Sequence, residues 1–164
     1  MANKIASQVN IGIDVGKAQL DVHIYERAVD FSVLNDAAGI RQLVGRLGRY
    51  RMERIVIEAT GRLEQALVEA LMARELPIVV VNPIQVRRYA GAIGQLAKTD
   101  TLDARLIAEY AAIVQPDVRP PVSRELRKIK DLIARRRQLM DMIVQEKNRR
   151  QIMPKALKAV IKRH

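Results

Sequence analysis

The stretch IGIDVGKAQLDVHI, residues 11–24, decides the fold because it predicts two strands joined by a short Gly-Lys turn. The strands cover residues 9–15 and 20–25, and residues 28–34 can form a third. Three consecutive strands predict an antiparallel meander. Asp14 lies in the middle of the first strand. A carboxylate at that position is costly to desolvate, so we expect a group that pairs with it.

Helices and strands alternate after the meander. In chain order we predict a helix capped by Asn35 or Asp36 that reaches about residue 50, a strand over 54–59, a helix over 63–74 and a strand over 78–81 that ends at Asn82-Pro83. The last three elements form a strand–helix–strand unit, which is normally a parallel crossover. The sequence therefore predicts an α/β fold with a mixed sheet and flanking helices.

A further predicted helix over 101–114 carries an apolar stripe of Leu106, Ile107, Tyr110, Ala111 and Val114. Prolines in the stretch that follows it prevent regular structure. Ser123 then caps a long helix to about residue 153, and Pro154 starts another. The predicted organisation is a folded domain over 1–115, a proline-rich linker over 116–122 and basic helices over 123–164.

The positive charge is concentrated at the end of the chain. The net charge is +11, and residues 123–164 hold 14 Lys and Arg against 4 Asp and Glu. Such a basic segment attracts nucleic acid through counterion release, although solvated basic helices without that role are common. Aromatic residues are only 3% of the chain, which argues against base stacking as the means of holding single strands.

The chain has no cysteine, which excludes disulfides and thiolate metal sites. Its first ten residues, MANKIASQVN, lack the apolar core of a signal peptide. These two features predict a cytoplasmic protein with no membrane partner.

The long basic helix has a candidate coiled-coil seam. Leu126, Ile129, Ile133, Met140 and Ile143 occupy alternating heptad positions. Arg136, Lys147 and Arg150 fall on the same seam, and an ordinary dimer core would reject three charges. Two interpretations stay open: a coiled-coil homo-oligomer that ends early, splays or packs against nucleic acid, and a helical hairpin whose partner helix lies outside this chain.

Four carboxylates occupy positions typical of a metal site. Asp14 shares a strand face with Gly12 and Gly16, which we expect to leave open space around it, and Glu58 ends the strand over 54–59. Asp103 lies on the inward side of the helix over 101–114, and Asp100 precedes it by three residues on that face.

Each of these acids has an ordinary structural explanation when taken singly. Asp100 and Asp103 can cap a helix, and Asp14 and Glu58 can be hydrogen-bonded or solvated. Together, however, four acids that all point inward or lie at the ends of elements would repel one another and raise one another's pKa unless cations neutralise them. Oxygen ligands suit Mg²⁺ or Mn²⁺, and two such ions about 4 Å apart can activate a nucleophile and stabilise the leaving oxygen in phosphoryl transfer.

These residues resemble a known family. GIDVGK with Asp14, IEATG with Glu58, VVVNP, and AKTDTLDA with Asp100 and Asp103 look like the DEDD transposases of bacterial insertion sequences, a group that includes Piv-type DNA invertases. The resemblance covers about residues 9–114, and the basic helices look like the family's coiled-coil region. It implies a ribonuclease-H or RuvC-like domain in which the four acids coordinate metal where DNA strands are cleaved. It also implies a recombinase, and many members are guided by a structured RNA.

The chain departs from this family in one respect. The family's second, C-terminal domain supplies a nucleophilic serine, and none of the three serines here, Ser7, Ser32 and Ser123, looks like that nucleophile. We therefore expect a fragment that is inactive in recombination alone. Two alternatives are a stand-alone junction resolvase of the same fold and a non-catalytic nucleic-acid-binding or oligomerisation module.

Basic residues near the acids and on the long helix are candidate nucleic-acid contacts, although exposed arginines need no such role. The candidates are Lys17, Arg87, Arg88, Lys98, Arg127, Lys128, Arg135, Arg136, Arg137, Lys147, Arg149 and Arg150. The expected partners are DNA and a guide RNA. Binding to DNA would place the protein at the bacterial nucleoid.

Overall fold

The computed structural model describes residues 8–95, 104–118 and 124–152. The chain divides into two compact units, residues 1–121 and 122–164. Among the described residues, the first unit contains a five-stranded sheet and four α-helices, and the second contains one long helix.

The sheet confirms the predicted α/β fold class with its mixed strand directions. Its strands are β1 (Val9–Val15), β2 (Gln19–Ile24), β3 (Val29–Leu34), β4 (Met52–Glu58) and β5 (Ile78–Val81). Their order across the sheet is β3-β2-β1-β4-β5. The pairs β1–β2 and β2–β3 are antiparallel, whereas β1–β4 and β4–β5 are parallel. The central position of β1 brings the strand with Asp14 beside the strand with Glu58.

One face of the sheet is covered by α1 (Ala37–Leu47) and α2 (Gln65–Met72). The two-residue period of the strands places Ile11, Ile13, Ile55 and Ile57 on this face, and all four are fully buried. Asp36 caps the start of α1. Its carboxylate accepts a hydrogen bond from the Gly39 N–H at 2.7 Å. This is one of the two caps that the sequence allows.

The other face is covered by α3 (Pro83–Ala92) and α4 (Ala104–Val114). Four members of the predicted apolar stripe of α4 are buried there, namely Leu106, Ile107, Tyr110 and Ala111. The prediction was wrong for Val114, which ends the helix and is 46% exposed. The buried stripe holds α4 against the strands that carry the candidate acids.

Helix α3 was missed by the sequence prediction, which treated Asn82-Pro83 only as the end of β5. In the structure the Asn82 side chain accepts a hydrogen bond from the Ile84 N–H at 3.0 Å, and Pro83 is the first residue of the helix. Proline suits that position because its fixed φ is helical and its missing N–H would have no partner inside the helix. The signal was present in the sequence as a cap residue followed by proline.

The second unit contains α5 (Arg124–Ile152), a helix of 29 residues. The predicted seam residues Leu126, Ile129, Ile133, Met140 and Ile143 are all exposed on it. Within the part of the chain that the structure describes, no helix is long and apolar enough to cross a membrane. A coiled coil through this seam stays a prediction, as does the helix from Pro154, which lies outside the described residues.

Candidate active site

Asp14 and Glu58 lie side by side at the carboxyl ends of two parallel strands. The register pairs Ile13 of β1 with Ile57 of β4, so the next residues along each strand are Asp14 and Glu58. Both point away from the isoleucine face, towards the side covered by α3 and α4. The carboxyl end of parallel strands is where open α/β sheets bind ligands.

The Glu58 carboxyl is in an unfavourable environment for a negative charge. Its residue is only 7% exposed, and its Oε2 atom is buried without a hydrogen-bond partner among the described residues. Burial raises the pKa of the Glu58 carboxyl, the charge of Asp14 raises it further, and the Arg87 guanidinium lowers it in part. A cation bound to Oε2 would compensate both the missing hydrogen bond and the repulsion.

Asp21 adds a third carboxylate to the same row of the sheet. The β1–β2 register pairs Asp14 with Asp21, and the β2–β3 register pairs Asp21 with Ser32. Ser32 donates its hydroxyl to Asp21, and Gln19 donates to both carboxylate oxygens of Asp21 at 3.0 Å. Sequence reasoning did not name Asp21, although the short hairpin turn and the strand alternation would have placed it opposite Asp14.

Gly12 is the position at which α4 approaches the sheet. A Cβ atom on Gly12 would lie 2.3 Å from both the Ala104 carbonyl oxygen and the Ala108 nitrogen. The expectation that Gly12 leaves open space around Asp14 is therefore wrong, because the backbone of α4 fills that space. The glycine instead allows the start of α4 to lie close to β1, two residues before Asp14.

Three predicted site residues, Lys98, Asp100 and Asp103, lie outside the described residues. Over residues 8–95, 104–118 and 124–152, no group of three or more His, Asp or Glu side chains is arranged to hold a metal ion. The geometry thus brings Asp14 and Glu58 together, and Ala104 directly follows Asp103 in the sequence.

The loops that follow β1 and β4 are joined by hydrogen bonds from one side chain. Asn35 donates its side-chain amide to the Gly16 carbonyl at 2.9 Å and to the Leu63 carbonyl at 3.4 Å. The Glu64 carboxylate accepts hydrogen bonds from the Thr60 and Arg62 N–H groups at 3.2 and 3.1 Å. These contacts fix the turn after β1 and the turn after β4 beside the candidate site.

Helices α3 and α4 contact each other through an aromatic pair. The rings of Tyr89 and Tyr110 meet edge to face with centroids 5.7 Å apart. The Tyr89 hydroxyl donates to Glu109 at 3.1 Å, and burial with this hydrogen bond raises the pKa of Tyr89 to about 12. This contact fixes α3, and with it Arg87, relative to α4.

The described basic candidates are exposed. Lys17 follows β1, and Arg87 and Arg88 lie on α3. The other described candidates lie on α5, and all of them are exposed: Lys128, Arg135, Arg136, Arg137, Lys147, Arg149 and Arg150. Arg127 belongs to α5, but its side chain lies outside the description. Arg149 contacts Glu146 at 2.7 Å.

Comparison with known proteins gives a family match over most of the chain. A model of the IS110 type of DEDD transposases, described as "Transposase", matches residues 11–157. The pilin gene-inverting protein of Moraxella bovis is 26% identical over 153 residues, which cover 90% of this chain and 48% of that protein. The match to the Moraxella lacunata protein of the same name has the same identity and coverage.

An uncharacterized 44.8 kDa protein of insertion element IS116 from Streptomyces clavuligerus is 34% identical over 122 residues, which cover 68% of this chain and 30% of that protein. The chain thus spans about half or less of the length of these relatives. Among solved structures, T. thermophilus RuvC in complex with a Holliday junction substrate has a TM-score of 0.41 and 18% identity, over 66% of this chain and 96% of that chain.

Proposed function

Because the chain belongs to the DEDD transposase family of IS110 type, we propose that its first unit holds a divalent-metal centre for the cleavage and transfer of DNA strands. The observation that carries this proposal is the buried Oε2 atom of Glu58, which has no hydrogen-bond partner among the described residues and lies beside Asp14. An acid of this kind is costly to the fold unless a cation binds it.

The proposed ligands are Asp14 and Glu58 together with Asp100 and Asp103. All four offer oxygen atoms, which suit Mg²⁺ or Mn²⁺. Two such ions supply activation of a nucleophile and stabilisation of the leaving oxygen. The support for including Asp100 and Asp103 is the sequence AKTDTLDA, which carries the resemblance to the family.

The basic residues have two proposed roles. Arg87 already lowers the pKa of Glu58, so its charge reaches the acids and can hold a DNA phosphate near them. The exposed Lys and Arg side chains of α5 suit the backbone of DNA or of a guide RNA. The exposed apolar seam of α5 suits homo-oligomerisation. Action on DNA implies a location at the nucleoid in the cytoplasm.

Complete recombination is proposed to need a serine nucleophile from outside these 164 residues. Ser32, the one serine among the described residues, lies on β3 and donates its hydroxyl to Asp21. The relatives are about twice as long as the matched segment or longer. We therefore expect this chain to bind metal and nucleic acid but not to exchange strands by itself.

Calorimetric titration with Mn²⁺ tests the metal centre. The unmodified chain should bind Mn²⁺, and a variant with Asp14→Asn and Glu58→Gln should lose that binding. Glu69→Gln is the matched control, because it removes a carboxylate from an exposed position on α2. Equal Mn²⁺ affinity in all three proteins would refute the proposed centre.

A second candidate function, a non-catalytic nucleic-acid-binding module, is favoured by the exposed basic side chains of α5 alone. It predicts nucleic-acid affinity that is independent of Mn²⁺ and unchanged in the Asp14→Asn, Glu58→Gln variant.

Cleavage of four-way junctions by the isolated chain would instead identify a stand-alone resolvase.

A further inference from the structure

We propose that His23, Asp30 and Arg105 form a clamp that positions the start of α4, and that this clamp sets the geometry of the metal-binding acids. The inference rests on the proposed metal centre and assigns positioning residues to it. The clamp joins α4 to the neighbouring strands β2 and β3, and Arg105 lies 75 residues from Asp30 in the sequence.

The strongest contact of the clamp is a two-pronged ion pair. Arg105 Nε donates to Asp30 Oδ1 at 3.1 Å, and Arg105 Nη2 donates to Asp30 Oδ2 at 2.6 Å. The two parallel hydrogen bonds match the planar guanidinium to the planar carboxylate, so they fix orientation as well as distance. Arg105 is the second residue of α4, and the contact therefore holds the first turn of that helix.

His23 supports Asp30 from the neighbouring strand. Its Nδ1 atom lies 2.6 Å from Asp30 Oδ1, and the residue is only 8% exposed. The hydrogen bonds from Arg105 and His23 lower the pKa of Asp30 to about 2, so its carboxylate is an acceptor at neutral pH. The proton of this contact consequently resides on His23 Nδ1, which donates it to Asp30.

The clamp lies in the row of the sheet next to the candidate acids. The strand registers align Gly12, His23 and Asp30 in one row, and Asp14, Asp21 and Ser32 two residues further along. The backbone of α4 contacts this first row at Gly12, and Arg105 binds its other end at Asp30. Two points of attachment along one row fix both the position and the rotation of the start of α4.

The clamp is better suited to positioning than to stabilising the fold. The Arg105 and Asp30 side chains are 64% and 45% exposed, and exposed ion pairs add little to stability. Ala104, which follows Asp103 in the sequence, immediately precedes Arg105. Loss of a group that hydrogen-bonds a metal ligand typically reduces metal affinity about 10- to 100-fold, and the clamp, which holds the helix and not a ligand, should contribute at the low end of that range.

The test uses Arg105→Lys, which keeps the charge but removes the fork, and Asp30→Asn, which removes the charge of its partner. Arg74→Lys is the control, at an exposed arginine just after α2. We expect about tenfold weaker Mn²⁺ binding in calorimetry for Arg105→Lys and for Asp30→Asn. We also expect an altered paramagnetic resonance spectrum of bound Mn²⁺, with a metal-free denaturation midpoint close to that of the unmodified chain. The double variant should bind Mn²⁺ far less weakly than the sum of the two single effects predicts, because both changes break the Arg105–Asp30 contact.

The outcomes separate the clamp from the metal centre. If the unmodified chain binds no Mn²⁺, the proposed centre fails, and the clamp then has no site to position and fails with it. If the unmodified chain binds Mn²⁺ and both variants keep its affinity and spectrum, only the clamp is refuted. A loss of affinity that is matched by a large fall in the metal-free denaturation midpoint would also refute it, because the three residues would then act on the fold as a whole.

Discussion

Gly12 on β1 and Ala104 on α4 approach so closely that no side chain fits between the strand and the helix. A Cβ atom on Gly12 would lie 2.3 Å from the Ala104 carbonyl oxygen and equally close to the Ala108 nitrogen. Both are backbone atoms, so a rotamer change cannot relieve the clash. The absence of a side chain at Gly12 therefore determines how near α4 comes to the strand that carries Asp14.

Gly12→Ala should destabilise the first unit and displace the start of α4. Overpacking of this kind costs about 1–3 kcal/mol, which urea denaturation can measure. Gly45→Ala is the matched control, because Gly45 lies in α1 with nothing within 4 Å of its Cβ position. That change should instead stabilise the protein by about 0.5–1 kcal/mol. Destabilisation by both changes to the same extent would contradict the close approach at Gly12.

Glu58→Gln should change the pH dependence of stability in the absence of metal. Burial and Asp14 raise the pKa of Glu58 in the folded protein, so ionisation of this carboxyl opposes folding. Its contribution to stability is present below the unfolded pKa and is lost as the pH rises through the folded pKa. The variant should lack this loss and should be the more stable protein at pH 8 in EDTA. Urea denaturation from pH 4 to pH 8 measures the difference, and parallel curves would contradict the prediction.

Mg²⁺ should reverse this order of stability. A ligand that binds only the folded state stabilises it, and the ionised Glu58 carboxylate is a proposed ligand of the ion. Added Mg²⁺ should therefore raise the thermal midpoint of the unmodified chain but not that of Glu58→Gln. The Glu69→Gln control should respond like the unmodified chain, because Glu69 is exposed on α2. Equal responses of all three proteins would remove Glu58 from the proposed site.

The sheet was predictable because its signals are local. The two-residue period of β1, the apolar run of β5 and the strand–helix–strand unit between β4 and β5 each indicate one element, and the crossover rule then gives parallel pairing. The central place of β1 between β2 and β4 was not predicted, because neither the meander nor this unit determines which of their strands lie side by side. Element ends were less predictable, since α2 begins at Gln65, after a turn that the helical pattern does not reveal.

The site was only partly predictable because it depends on pairing between distant segments. The strand-end position of Glu58 made it a candidate acid, but its neighbour Asp14 lies on a strand that is not adjacent in sequence. The space beside Gly12 was misjudged for the same reason, since only the fold shows that α4 fills it. The contact of Arg105 with Asp30 spans 75 residues, and no spacing rule would have found it.

Asn82→Ala should destabilise the protein by weakening the start of α3. The Asn82 side chain accepts a hydrogen bond from the Ile84 N–H, and loss of such a cap costs about 1 kcal/mol. Gln85→Ala, at an exposed position in the first turn of the same helix, is the control and should have little effect. Urea denaturation compares the two variants. Equal midpoints would show that Pro83 alone starts the helix.

Replacing Arg135, Arg136 and Arg137 with Gln should weaken nucleic-acid binding and its dependence on salt. These side chains are exposed on α5, and each phosphate contact adds about 0.9 to the slope of log affinity against log salt on duplex DNA. Fluorescence anisotropy at several salt concentrations measures this slope. The control replaces Arg41, Arg49 and Arg74, three exposed arginines of the first unit, and removes the same charge. Equal losses in both triple variants would mean that net charge, and not a surface on α5, holds the nucleic acid.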